Sequence, residues 1–436
     1  MRSRTCVLAL LTAALALPGA AAEYEILEGH GGPVMAIDVS PDGRIATGSF
    51  DNALGLWDQR DAPVWLDGHD AAVTAVAFWD ETRLVSGSDD FRVLLWDSGT
   101  LVGPIGSHQG KIAALATSPA AGLVASASWD GTIGLWTLAG EEAGRLTGHD
   151  QGVNDIAFSE DGTALYSASS DGTVRVWDVA TGAETRVLVE NGLGINRLLL
   201  DPDAGWLAYG TVDGATRIVD LDTGAAIRDL SLERRPILAL ALSPDGNRLA
   251  VGDGEGYIMI VMTADWRIER DFRAAPHGPI WALAFSRDGE NVLAAGLDDR
   301  AHSWPIADMD AYGQMDTADR SFLADPDLLP NGERQFKRKC SICHTLTPGS
   351  ARRAGPSLYG LFGRQVGTVA DYTYSDALTG SDLVWTEETV DALFSIGPEH
   401  YLPGTKMPMQ RITGAEDRAD LIAYLRRETA PEEDKK

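Results

Sequence analysis

Residues 68–97 read GHDAAVTAVAFWDETRLVSGSDDFRVLLWD, with a Gly-His pair at Gly68-His69, an acid at Asp90 and Leu95-Trp96-Asp97 at the close. The same marks recur on both sides. Gly29-His30 precedes Asp51 and Leu56-Trp57-Asp58, Ser107-His108 precedes Asp130 and Leu135-Trp136, and Gly148-His149 precedes Asp171 and Val176-Trp177-Asp178. Three weaker copies end at Ile218-Val219-Asp220, at Ile260-Val261 and, from Pro276-His277 through Asp298, at Trp304. Starting at Trp57, the equivalent positions Trp96, Trp136, Trp177, Val219, Val261 and Trp304 are spaced by 39, 40, 41, 42, 42 and 43 residues. A period of this size marks a unit that buries its apolar face only by stacking on copies of itself. Within a unit, Val34-Met35-Ala36-Ile37-Asp38-Val39 reads as a strand and Ser40-Pro41-Asp42-Gly43 as a turn. The 47 glycines and 12 tryptophans suit many tight turns and one repeated aromatic, an all-β pattern.

This region resembles the WD40-repeat β-propeller family, and the resemblance implies seven blades of four strands over residues 23–306. It also implies a buried hydrogen-bonded set in each good blade: His30, Thr47, Asp51 and Trp57 in the first, and His69, Ser86, Asp90 and Trp96 in the second. Blades five and six depart, with Tyr209 and Val251 at the hydroxyl position and no preceding Gly-His pair, and blade seven has Ala294 there. Tyr24-Glu25-Ile26-Leu27 is expected to supply the outer strand of the last blade and close the ring. Family members bind partners on the face where Met35, Phe50, Trp129 and Trp281 are expected, with rim packing as the alternative.

Composition bounds the rest. At 436 residues and 44% hydrophobic the chain holds more than one folded domain and is not disordered throughout. A net charge of −28 with no basic stripe argues against nucleic acid as a partner. Residues 1–22 read as a signal peptide. Arg2 and Arg4 precede the apolar run Cys6 to Leu17, which is too short to span a bilayer, and cleavage is expected near Ala22. A short membrane anchor is the alternative; the expected mature product is periplasmic, with no stable membrane insertion. Residues 307–330, ADMDAYGQMDTADRSFLADPDLLP, read as an acidic linker to a last domain over 331–436. That domain carries 14 basic and 15 acidic residues, whereas 23–330 carries 20 and 49, so nearly all the negative charge precedes residue 331.

Cys340-Ser341-Ile342-Cys343-His344 is the C-x-x-C-H signature of c-type haem attachment: two thiols for thioether bonds and an adjacent imidazole for the iron. A zinc site would need two more ligands, and only Cys340 and Cys343 remain once residues 1–22 are removed. The flanking blocks resemble class I cytochromes c of the mitochondrial and c2-like type. Gly332-Glu333-Arg334-Gln335-Phe336 opens the first helix, and Gly355-Pro356-Ser357-Leu358-Tyr359-Gly360-Leu361-Phe362-Gly363-Arg364 matches the loop after the attachment site. Tyr372-Thr373-Tyr374, Trp385-Thr386-Glu387-Glu388, Pro403-Gly404-Thr405-Lys406-Met407-Pro408 and the last helix from Arg418 to Leu425 follow in order. The resemblance implies an all-α domain with one covalent haem c on Cys340 and Cys343. It implies His344 and Met407 as axial ligands, with Met409 as the competing thioether. The Pro356 carbonyl would orient His344, Arg364, Tyr374 and Trp385 would hold the propionates, and Phe336 would pack on Tyr424. Leu378 stands where many members carry Asn, and Leu393 or Phe394 where a Tyr touches the Met sulfur. The lysine ring of the family is thinned to Lys337, Arg338, Lys339, Arg353, Lys406 and Arg411, a patch able to meet the acidic propeller of the same chain.

No Ser-His-Asp order, phosphate loop or H-E-x-x-H motif is present. Five of the eight histidines hold repeat positions and His344 is committed to haem, leaving His302 and His400. The expected function is electron transfer by a carrier rather than a catalyst, with the propeller docking a redox partner protein and the haem-attachment machinery acting during export. The alternatives are a redox enzyme with a substrate site in the propeller, and a haem-sensing scaffold or assembly protein.

Overall fold

The structure, a computed structural model, describes residues 24–58, 62–231, 235–275, 278–307, 329–350, 353–375, 377–407 and 410–431. The expected signal peptide, most of the linker, His277 and Met409 lie outside the described residues. No described helix is long and apolar enough to cross a membrane.

Seven four-stranded antiparallel sheets follow one another along the chain, spanning 34–67, 73–107, 112–147, 153–190, 195–229, 237–273 and 280–305. The last has only three strands of its own. Strand Glu25–Glu28 completes it, with Ile26 opposite His302. A strand from the far end of the chain therefore completes the last blade and closes the ring. Tyr24 seals this closure through its hydroxyl, 2.6 Å from His302 Nδ1.

All seven blades carry a register shift at the second residue of the innermost strand, for example between Val34 and Ala36, between Val153 and Asp155 and between Ile280 and Ala282. The extra residue bends the strand and re-aims its side chain. In three blades that side chain bonds a carbonyl of the next blade: Thr74 to Ile112 at 2.6 Å, Asn154 to Ile195 at 2.8 Å, and Asn196 to Ile237 at 3.0 Å. Met35 and Trp281 occupy the same bulge in blades one and seven, half-buried.

The expected polar sets are present in blades one to four. His30 Nδ1 lies 3.0 Å from the Asp51 carboxylate and its Nε2 lies 2.7 Å from the Thr47 hydroxyl, which also accepts from Trp57 Nε1 at 2.8 Å. Blade two repeats this with His69, Asp90, Ser86 and Trp96 at 2.9, 2.8 and 2.8 Å. Buried polar groups cost nothing extra when every donor finds an acceptor. Where the sequence departs, other solutions appear. In blade five Arg217 lies near Tyr209 and reaches Asn191 at 2.7 Å and Asp229 at 3.0 Å. In blade six buried Val251 and Met259 make the position apolar. In blade seven Ala294 offers no acceptor, and Trp304 Nε1 is buried without a hydrogen-bond partner among the described residues.

Two substitutions at equivalent positions should act in opposite directions. Ser86→Ala strands both Trp96 Nε1 and His69 Nε2 and should cost about 1–3 kcal/mol of stability. Ala294→Ser supplies the missing acceptor for Trp304 and should add about 1 kcal/mol. Denaturant midpoints of the two variants against the parent measure both effects.

The sets also confer a pH dependence. Burial alone would raise the pKa of Asp171, but the Thr173 hydroxyl and the His149 ring outweigh it and bring it from an ordinary 3.8 to about 2. A carboxylate lowered in the folded state stabilises above its unfolded pKa and loses that contribution as pH falls through its folded pKa. The stability gap between the parent and Asp171→Asn should therefore be largest above pH 3.8 and shrink towards about 2; melting curves across that range test it.

Candidate functional site

The last domain is built on helices α1 (Asn331–Lys339), α2 (Glu387–Ile396), α3 (Pro398–Tyr401) and α4 (Ala415–Glu428). Helix α1 crosses α4 closely. The Phe336 and Tyr424 rings are 5.6 Å apart, and a Cβ on Gly332 would run into the Asp420 carbonyl. Thr386 caps α2, and Thr389 returns the bond to the Thr386 N–H at 2.7 Å, a reciprocal capping box. Leu421, Ile422 and Leu425 of α4 pack with Val390, Leu393 and Phe394 of α2 and with Phe336 of α1.

The turn leaving α1 assembles the chemical groups. Cys340 caps the helix, and the N–H groups of Cys343 and His344 both donate to its carbonyl, at 3.0 and 2.9 Å. Five residues thus put two thiols and an imidazole on the wall of one cavity of about 660 Å³. The remainder of that wall is largely apolar, with Leu358, Leu361, Val366, Leu378, Val390, Leu393 and Phe394. Pro356, Arg364, Tyr374, Trp385 and Met407 line it as well, so one cavity gathers every haem-contact residue expected from the sequence.

His344 Nδ1 donates to the Pro356 carbonyl at 2.8 Å, which fixes the ring and its tautomer. Burial lowers the imidazole's pKa against the opposing pull of that carbonyl, so the ring is held neutral, the form that ligates metal. Gly355 lies against the ring face, where any Cβ would overlap the imidazole. Burial raises the thiols of Cys340 and Cys343 to about 12 and about 11, and both sulfurs are free of any disulfide. Arg364 donates to the carbonyls of Tyr359 and Ser357 at 2.7 and 2.8 Å, which anchors its guanidinium at the cavity wall. Tyr374 stacks edge-on against Tyr372, whose hydroxyl donates to the Ala354 carbonyl at 2.6 Å. Met407 lies in a loop braced by its own N–H on Thr405 Oγ1 at 3.1 Å and by Ser375 on Gly404 at 2.6 Å. Leu393 and Phe394 both line the cavity.

The cavity does not end at this domain. Phe50, Asp70, Asp89, Phe91, Lys111 and Trp129 of the propeller contribute to its wall. Of the four residues expected on the propeller's binding face, Phe50 and Trp129 are thus on the haem side, with Lys111 Nζ 3.4 Å above the Trp129 ring. Met35 and Trp281 are not on this cavity; they sit at the inner-strand bulges. Asp70, Phe91 and Lys111 were not singled out from the sequence, although Asp70 directly follows the repeat His69 and Phe91 directly follows the repeat Asp90. Among the described residues no cluster of three or more His, Cys, Asp or Glu side chains forms a separate metal site.

Comparison with known proteins agrees with both halves. The family model for WD domain, G-beta repeat matches residues 23–58, 64–97, 99–137, 140–178 and 270–304, and the cytochrome c model matches 329–428. Cytochrome c of Nigella damascena is 45% identical over 100 residues, 23% of this chain and 89% of the relative. That of Gossypium barbadense is 46% identical over 107 residues, covering 24% and 96%, and that of Theileria parva 42% over 108 residues, covering 23% and 92%. The C-terminal domain belongs to the cytochrome c family. The crystal structure of the WD40 β-propeller domain of Doa1 superposes with a TM-score of 0.57 at 21% identity, covering 64% of this chain and 94% of that one, which supports the propeller fold. Blades five and six, whose polar sets depart, are the ones outside the repeat matches.

The cytochrome c domain takes covalent haem c, and its residues fit that group: two buried thiols three positions apart, a neutral imidazole with one nitrogen already bound to a carbonyl, and apolar walls. Gly355→Ala should displace the His344 ring. The expected result is a lower yield of haem-loaded protein and a loss of low-spin absorption, read from visible spectra of equal amounts of exported chain.

Proposed function

We propose that the chain is an exported, periplasmic electron carrier with His344 and Met407 as axial ligands of one haem c, and that its propeller docks a protein redox partner. The observation that carries the reading is the shared cavity: the thioether of Met407, the fixed imidazole of His344 and the two thiols all line it. Haem c, once attached, supplies a one-electron ferric–ferrous couple. A thioether ligand and an apolar surround both favour the ferrous state, because soft sulfur suits it and low dielectric disfavours the extra positive charge. Arg364, Tyr374 and Trp385 supply a guanidinium, a phenol and an indole at the cavity wall, the groups expected to meet the propionates. The charged start, short apolar run and Ala20-Ala21-Ala22 of the first 22 residues support export, and covalent haem suits a compartment where lost haem is not readily regained.

The test is the visible spectrum of the full chain, exported together with haem-attachment machinery, in oxidised and dithionite-reduced forms. One haem c per chain, a mature N-terminus at Glu23 and the weak long-wavelength ferric band of methionine ligation are expected. Met407→Ala should abolish that band and lower the reduction potential, whereas Met409→Ala should keep both. A second chromophore, or iron that takes up small ligands readily, would overturn the carrier reading in favour of an enzyme.

A further inference from the structure

We infer that the propeller is a built-in cover for the haem crevice of its own cytochrome domain, held by charge, and that an outside redox partner gains the haem edge only when this cover swings away. The kinetic part of this inference rests on the carrier reading; the contact itself does not.

Three observations carry it. The first is that one cavity has walls from both domains: Cys340, Cys343, His344 and Met407 on one side, and Phe50, Phe91 and Trp129 on the other. Phe91 and Trp129, large aromatic side chains 42% and 57% exposed, both line this shared space. The second is an ion pair across the gap, Lys406 Nζ to Asp70 Oδ1 at 2.7 Å. Lys406 directly precedes the proposed ligand Met407; Asp70 also pairs with Arg92 at 2.7 Å and donates its N–H to Asp90 at 2.9 Å, so the pair joins the ligand loop to a loop tethered within blade two. The third is the segregation of charge. The 49 acidic and 20 basic residues of 23–330 face a domain with 15 and 14, and the basic side chains of that domain which line the cavity include Lys339 and Lys406. The thinned lysine patch thus supplies basic groups for an acidic propeller to attract.

The contact sets a salt dependence of unusual sign. Association steered by complementary charges slows as salt is added. A cover held by an exposed ion pair loosens instead, so access to the haem edge should increase with ionic strength.

Two measurements on the haem-loaded full chain test this. Carbodiimide treatment at low salt should join Lys406 to Asp70 by a zero-length amide, found by peptide mass mapping and missing from Asp70→Asn. Oxidation of the ferrous chain by 1,4-benzoquinone, uncharged so that bulk screening drops out, should speed up about two- to fivefold between about 10 mM and about 300 mM salt, the range an exposed ion pair can supply. Asp70→Lys should already be fast at low salt, and Asp70→Lys combined with Lys406→Asp should restore the slow rate. Absence of the linked peptide overturns the cover. A linked peptide with a rate indifferent to salt and to Asp70→Lys overturns the gating. The methionine band, recorded on the same samples, reports the carrier reading separately: its loss with the cross-link intact would sink the ligation and leave the cover standing.

Discussion

A buried imidazole has two nitrogens, and what each is bonded to decides what the residue does. In blades one to four both are consumed: Nδ1 bonds a carboxylate and Nε2 a hydroxyl that also accepts a tryptophan N–H, as in His30, Asp51, Thr47 and Trp57. Such a histidine is structural because nothing is left over. In the cytochrome domain His344 Nδ1 bonds the Pro356 carbonyl, its Nε2 has no partner among the described residues, and its ring lines the cavity. The same rule that a buried donor needs an acceptor makes one set of histidines into rivets and leaves the other with a nitrogen to offer iron. Burial suppresses the charge of both kinds, as His108, His149 and His344 are all lowered by it.

The ring depends on the rivets, and the cytochrome domain depends on the ring for one wall of its cavity. Blades one to three, which supply Phe50, Asp70, Asp89, Phe91, Lys111 and Trp129, all carry complete polar sets. The blades with substituted sets, five to seven, contribute nothing to that wall. Complete sets thus lie in blades that line the cavity, and the substituted ones lie in blades that add no residue to its lining.

Much of this was legible in the sequence because the information is local. A repeat of about 40 residues, a C-x-x-C-H pentapeptide and the order of the cytochrome blocks can each be read without knowing what is near in space. The closing strand was legible for the same reason, since Tyr24 to Leu27 has no other blade to join. Residues whose role depends on distant neighbours were not. Met35 and Trp281 stand half-buried at a bulge repeated in every blade, a feature that a linear reading does not show. His302 had no repeat role to fill; in three dimensions it takes over the polar centre of blade seven, between Tyr24 and Asp298 and stacked on Trp304. Asp70 reads as a bystander beside His69; in three dimensions it pairs with Arg92 of its own blade at 2.7 Å and with Lys406, more than 300 residues away, at 2.7 Å.

An electron carrier faces two demands that conflict. Keeping water from the iron favours the ferrous state and protects the axial sulfur, and burial does this. Exchanging electrons with a second protein needs an edge of the haem near the surface. Small cytochromes settle the matter with a fixed compromise, a largely buried group with one exposed rim. Here the cavity that would hold the haem is lined in part by aromatic side chains and carboxylates of a second domain in the same chain. A single exposed ion pair such as Lys406–Asp70 is worth at most about 1 kcal/mol. That is too little to lock the two domains together and enough to bias them. A joint of that strength would let the proposed carrier have both properties in turn, water-excluding while closed and electron-exchanging while open, with the balance set by whatever competes for the lysine.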